Sequence, residues 1–266
     1  MVKNALGAAA ALALTVFSAA PAQAAAVLTF SGNSAGSTGN FLQTTFVDPT
    51  TSTQIKVQAT AWSIDSGGTI HSSALGKWSG GLGVINPGND GQHTIDNSGW
   101  TDFVLFQFDT PVELDNIWVT AFGDTDAYVR SGNGANIAWN APTSANPLKN
   151  ANASTLATLM PNYVAVPGDD TSGIRAIANS GASNWWMVSA SNIIDYVESC
   201  SGKGRKRSCV NEPVYDSFKL KGLEVSQAGA VPEPATWLMM ITGIGFAGAA
   251  VRRRNKVSLR FGQSLA

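Results

Sequence analysis

A mainly β fold, an antiparallel β-sandwich or jelly roll with one or two short helices, is what this 266-residue sequence predicts. Three observations predict it. Short runs rich in β-branched and aromatic residues recur along the chain, Gly, Pro, Asn, Asp and Ser separate them, and helical apolar periodicity is scarce. A doubly wound sheet would need strands alternating with helices, and a propeller or solenoid would need an internal repeat; neither pattern is present.

The first 24 residues read as a secretory signal peptide rather than as part of the fold. Lys3 supplies the positive start, Ala5 to Ala20 the apolar stretch, and Ala22-Gln23-Ala24 a small-x-small cleavage site. A first transmembrane helix fits less well, because the segment is short, Ala-rich and followed by that cleavage pattern. Export through the Sec machinery then leaves a mature domain over 25–228.

Within it the expected strands are "VLTF", "TQIKVQATAW", "DFVLFQFD", "NIWVTAFG", "NYVAV", "NWWMVSA" and "DSFKLKGLEV". Ile55, Val57 and Ala59 alternate with Lys56 and Gln58, and Phe218, Leu220 and Leu223 sit among Lys219, Lys221 and Glu224, as half-buried antiparallel strands require. One or two short helices are expected. "NASTLATLM" offers Asn152 or Ser154 as N-cap before Leu156, Leu159 and Met160, and "SASNIIDYVESC" offers a second helical stretch.

Charge narrows the function classes. From Ala25 to Val231 there are 11 Lys and Arg against 17 Asp and Glu, a net charge of −6, which argues against a nucleic-acid partner. Cys200 and Cys209 are the two cysteines, and in an exported chain they are expected to form a disulfide closing a hairpin loop with the basic tip "KGRKR". A zinc site lacks further Cys or a nearby His.

The densest stretch of chemistry runs from Asn89 to Asp102. Asp90, Asp96, Asn97 and Asp102 are the candidate metal ligands, since oxygen donors at this density on a Gly-rich loop suit Ca²⁺. The same residue types are ordinary in turns, and the spacing is not that of an EF-hand. Asp124 and Asp126 form a second acidic pair with the composition of a solvated turn, although paired carboxylates could serve glycoside hydrolysis. No nucleophile elbow, H-E-x-x-H, P-loop or dinucleotide fingerprint is present, so no catalytic residue is assigned and the chain is read as a non-enzyme. Trp100, Trp185 and Trp186 are the candidates for stacking on a sugar ring; the last two are adjacent, so on a strand they face opposite ways and one is expected to be exposed.

The tail has its own organisation. Val231, Pro232, Glu233 and Pro234 form a stiff, extended stretch, the uncharged run 235–251 is expected to be a transmembrane helix, and Arg252, Arg253 and Arg254 would fix its end in the cytoplasm. This order, together with Thr236, Trp237 and "GIGFAGAA", resembles the PEP-CTERM sorting signal, a tail also met under the label ice-binding protein C-terminal domain. The resemblance covers 229–256 and leaves a cytoplasmic tail over 257–266, longer than such signals usually carry. It implies recognition by an exosortase, cleavage at the Pro-Glu-Pro region, and release or transfer to the cell surface or exopolysaccharide matrix. "GGLGV" with "HTIDNSGWTDFVLFQFDTPVEL" is similar to a motif of exosortase-dependent surface proteins, with His93, Asp96, Asn97, Gly99, Asp102 and Phe103 at its signature positions. The expected role is structural or adhesive; a Ca²⁺-assisted carbohydrate-binding module and a secreted hydrolase are the alternatives. A single "TTST" is no flat threonine array, so ice binding finds no support.

Overall fold

The computed structural model describes residues 25–88, 91, 93–134, 136–178, 181–191, 194–201, 207–227 and 240–248. The signal segment 1–24, Asp90, the Val231–Pro234 motif and Arg252 to Arg254 lie outside the described residues. Strand makes up 56% of the described residues, and all ladders between named strands are antiparallel, as the runs of β-branched and aromatic residues require.

In chain order the strands are β1 (Ala26–Thr29), β2 (Phe41–Val47), β3 (Gln54–Ile64), β4 (Ile70–Ser72), β5 (Ala74–Trp78), β6 (Gly81–Ile85), β7 (Ile95–Asp96) and β8 (Thr101–Ala121). They continue as β9 (Ala127–Gly132), β10 (Asn162–Val166), β11 (Gly173–Ala176), β12 (Ser183–Ala190), β13 (Asp195–Ser201), β14 (Ser208–Val214) and β15 (Ser217–Gln227). Thirteen of them form one continuous sheet, and β13 and β14 stand apart as a hairpin.

The organising element is β8. Its first part, Thr101 to Phe108, pairs with β3 and, through Phe103 to Gln107, with β12. Its second part, Val112 to Ala121, pairs with β15, and Asn116 to Val119 with β11. Pro111 stands where the partners change, a position at which the missing N–H costs no central ladder bond. "DFVLFQFD" and "NIWVTAFG" are therefore two parts of one strand.

Both parts of β8 supply the main core. Val104, Phe106 and Phe108 from the first meet Val112, Leu114, Ile117 and Val119 from the second, along with Trp186, Val188, Phe218 and Leu223. The opposite face of the β3–β8–β12 region carries a smaller core of Trp62, Phe103, Leu105, Trp185 and Met187, covered by Leu148, Leu156 and Met160 from the segment before β10. Period-two alternation explains both: odd and even residues of a strand covered on two sides are each buried.

That geometry corrects one expectation. Trp185 and Trp186 do point to opposite faces, but they are 2% and 0% exposed, so neither presents a ring to a sugar. A second correction concerns "SASNIIDYVESC", which is β-structure at both ends: it closes β12 and forms β13 through Cys200. The other expected helix exists as α1 (Ser154–Leu159), but its N-cap is Ala153, without a side-chain cap, and not Asn152 or Ser154; Asn152 Oδ1 accepts the Ser154 N–H at 3.0 Å in the turn that leads into it.

The Cys200–Cys209 disulfide is present, joining directly opposed residues of β13 and β14. Tyr196, Val197 and Val210 of this hairpin are all more than half exposed. A hairpin with so little burial is marginal alone, and the cross-link is the feature that limits its unfolded conformations. Reduction is therefore expected to speed hydrogen exchange and proteolysis over 195–214 while leaving the melting temperature of the main sheet unchanged. Mass-resolved exchange with and without reductant checks this; a large drop in the global melting temperature would show that the hairpin is coupled to the core.

In the tail, 240–248 is helical and exposed. Among the described residues no helix is long and apolar enough to cross a membrane.

Candidate functional site

The loop singled out by sequence leads into β7 and β8, and its two described carboxylates, Asp96 and Asp102, are buried and hydrogen-bonded within the protein. Asp96 is buried; its Oδ2 accepts from Thr94 Oγ1 at 2.9 Å and its Oδ1 from the Ser98 N–H at 3.1 Å. Asp102, fully buried at the start of β8, accepts from Ser63 Oγ at 2.6 Å and, through its two oxygens, from Asn86 Nδ2 at 3.3 and 3.4 Å. Ser63 Oγ in turn lies 2.6 Å from Ser73 Oγ, so Asp102 ties β8 to β3 and to the chain before β5. A buried carboxylate needs such donors to offset its lost hydration.

Asn97 turns toward a different group. Its Nδ2 donates to Asp216 Oδ2 at 2.7 Å and to the Ser191 carbonyl at 3.0 Å, while its Oδ1 accepts the Asp216 N–H at 2.9 Å. Asp216, 3% exposed just before β15, also accepts the Ser191 N–H at 3.1 Å. Asp124 bridges to Asp216 in a parallel backbone contact, and carboxylate oxygens of Asp124, Asp126 and Asp216 all lie within 4.8 Å of one another. Loops after β8 and before β15 are brought together because those strands are ladder partners.

Three carboxylates this close cannot all be ionised cheaply. Burial, and then the charges of Asp124 and Asp126, push the Asp216 carboxyl up to about 7. At neutral pH the cluster can share a proton, with Asp124 held by the Thr125 N–H at 2.7 Å and Asp126 accepting the Gly168 N–H. The same oxygens are close enough together for one hard cation. Asp124 and Asp126 were legible as an acidic pair; Asp216 was not, since no local signal joins it to residues some ninety positions earlier.

Trp100 is half-buried, its ring 4.8 Å from the His71 imidazole, whose Nε2 lies 2.8 Å from Asp65 Oδ2. His93 stacks on Trp78 at 5.4 Å, and Lys219 Nζ stands 4.6 Å from both the Trp78 and Phe122 rings. Trp78 closes the β5–β6 hairpin, and Gly81 after it has φ +123 with the Leu220 carbonyl where a Cβ would stand, so only glycine fits there.

Residues 230–254 match the family model described as a PEP-CTERM protein-sorting motif, and the chain therefore carries that sorting motif beyond β15. No curated protein and no solved structure matches the chain.

Proposed function

We propose that this protein is exported, processed by an exosortase at the Val231–Pro234 stretch, and acts without catalysis as a structural or adhesive component of the cell surface or exopolysaccharide matrix. The observation that carries the reading is the sorting motif matched over 230–254, with Pro-Glu-Pro before an uncharged run and the Arg triplet at its end. The run of 235–251, at about 1.5 Å per helical residue, would span a thin apolar layer. Export requires only that the mature domain fold on the far side of the membrane, where the Cys200–Cys209 bond would be stable. We read the scaffold as a β-sandwich whose two layers are joined through β8, where its ladder partners change at Pro111, a support suited to display.

Replacing Pro232, Glu233 and Pro234 with Ala is expected to leave a full-length, membrane-held form in place of a shortened, released one. Fractionation and mass spectrometry of the native host, with and without its exosortase, test this. An identical shortened form in a strain lacking exosortase would overturn the reading.

A further inference from the structure

On the face of β9–β12 away from the main core, a groove of about 490 Å³ runs between β10 and α1. We infer that it binds a carboxylated sugar, a uronate residue of an acidic polysaccharide. Three residues carry the argument: Tyr128, Arg130 and Tyr163. In the ladders, Arg130 lies opposite Tyr163 on one side and Met187 on the other, and Tyr128 opposite Ala165 and Ser189. Tyr128 is half-buried, with these small neighbours beside it in both ladders.

The two phenol rings meet edge to face, with centroids 6.2 Å apart, and the Arg130 guanidinium stands 5.3 Å from the Tyr163 ring. Tyr163 is 63% exposed. Arg130 donates from Nη1 to the Met160 carbonyl at 3.3 Å, which holds the side chain in place with donors to spare. Among the described residues no carboxylate is in ion-pair contact with Arg130, and no acidic side chain lines the groove. An arginine without an anion, on a domain of net charge −6, is the local exception to the field around it. At physiological salt that wider repulsion is screened beyond about 8 Å, so the short-range guanidinium contact decides what the groove accepts.

The ligand must then offer two things at once. A planar carboxylate matches the guanidinium fork, and a flat C–H face matches a tyrosine ring whose hydroxyl remains free for polar contact. A pyranose bearing a carboxyl group has both. Thr101, half-buried at the groove, offers a hydroxyl for one of the sugar's remaining oxygens, while the buried Ser189 hydroxyl donates to the Tyr128 carbonyl at 3.3 Å and helps fix that strand.

The inference rests on the non-catalytic reading of the domain but not on its sorting. Purified full-length protein in detergent, titrated calorimetrically with tetramers of galacturonate and of mannuronate, tests it against the methyl-esterified forms. Binding of at least one acidic tetramer is expected, with a loss of tenfold or more on esterification, in Arg130→Gln and in Tyr163→Ala. Arg130→Lys should retain part of the affinity, because it keeps the charge and loses the fork. Tyr163 is exposed enough that its truncation leaves the fold intact, which a melting curve verifies. Failure of both acidic tetramers to bind at millimolar concentration, or equal binding in Tyr163→Ala and Arg130→Gln, overturns the site. Shortened oligosaccharide recovered from the cell would instead leave the site standing and overturn the non-catalytic reading.

Discussion

Asp216→Asn is expected to stabilise the protein at neutral and mildly alkaline pH and to remove a pH dependence that the native chain shows. The native Asp216 carboxyl is raised from 3.8 to about 7, by burial first and by Asp124 and Asp126 second. Between about 4 and about 7 the folded state therefore holds a proton that the unfolded chain has released. Stability from this group is greatest below the unfolded value, falls as pH rises through that window, and is level above it. The shift corresponds to a cost on the order of 2–4 kcal/mol above neutrality, at 1.36 kcal/mol per pKa unit with allowance for local relaxation. Asparagine can keep an oxygen toward Asn97 Nδ2 and the Ser191 N–H while its amide faces Asp124 and Asp126 as a donor. The variant should melt about 5–10 °C higher than the native protein at pH 8 and close to it at pH 4. Melting curves across that range in the presence of a chelator give the answer; parallel native and variant profiles would mean that Asp216 ionises normally.

The same cluster shows how far local sequence carries. "NYVAV" is β10 residue for residue, and the Ile55–Val57–Ala59 alternation identifies the inward face of β3, because period-two patterning is a local property. What failed depended on distant partners. "SASNIIDYVESC" has residues at helical spacing, yet its pairing with 208–214, pinned by Cys200 opposite Cys209, makes its second part a strand. The loop of Asn89 to Asp102 is legible as a concentration of oxygen donors, but where Asp102 and Asn97 point follows from the ladder: Asp102 meets β3, Asn97 meets the chain before β15. Tyr128 and Arg130 share a strand face in "AYVRSG", a signal that was available, but only the β9–β10 register sets Tyr163 beside them.

Trp186 is where a single substitution is expected to cost most. Its indole is fully buried in the main core, and its Nε1 donates to the Val112 carbonyl at 3.0 Å and to the Ser183 carbonyl at 3.1 Å. Val112 opens the second part of β8 and Ser183 opens β12, so one N–H serves both strands where the sheet irregularity between Ser183 and Trp185 interrupts their ladder. Trp186→Ala removes the aromatic volume, worth about 3–5 kcal/mol in a packed core, and leaves two buried acceptors without their donor, at about 1–3 kcal/mol more. Against a total stability of about 5–15 kcal/mol for a domain, that variant should be largely unfolded at growth temperature. Trp186→Phe separates the two contributions, since it keeps most of the apolar surface and deletes the N–H; it should lose about 1–3 kcal/mol with an intact fold. Trp185, in the smaller core on the other face, makes no indole hydrogen bond among the described residues, so Trp185→Phe should cost less than Trp186→Phe. Chemical denaturation of the three variants ranks them, and equal losses in the two phenylalanine variants would mean that volume alone, and not the shared N–H, holds the β8–β12 junction.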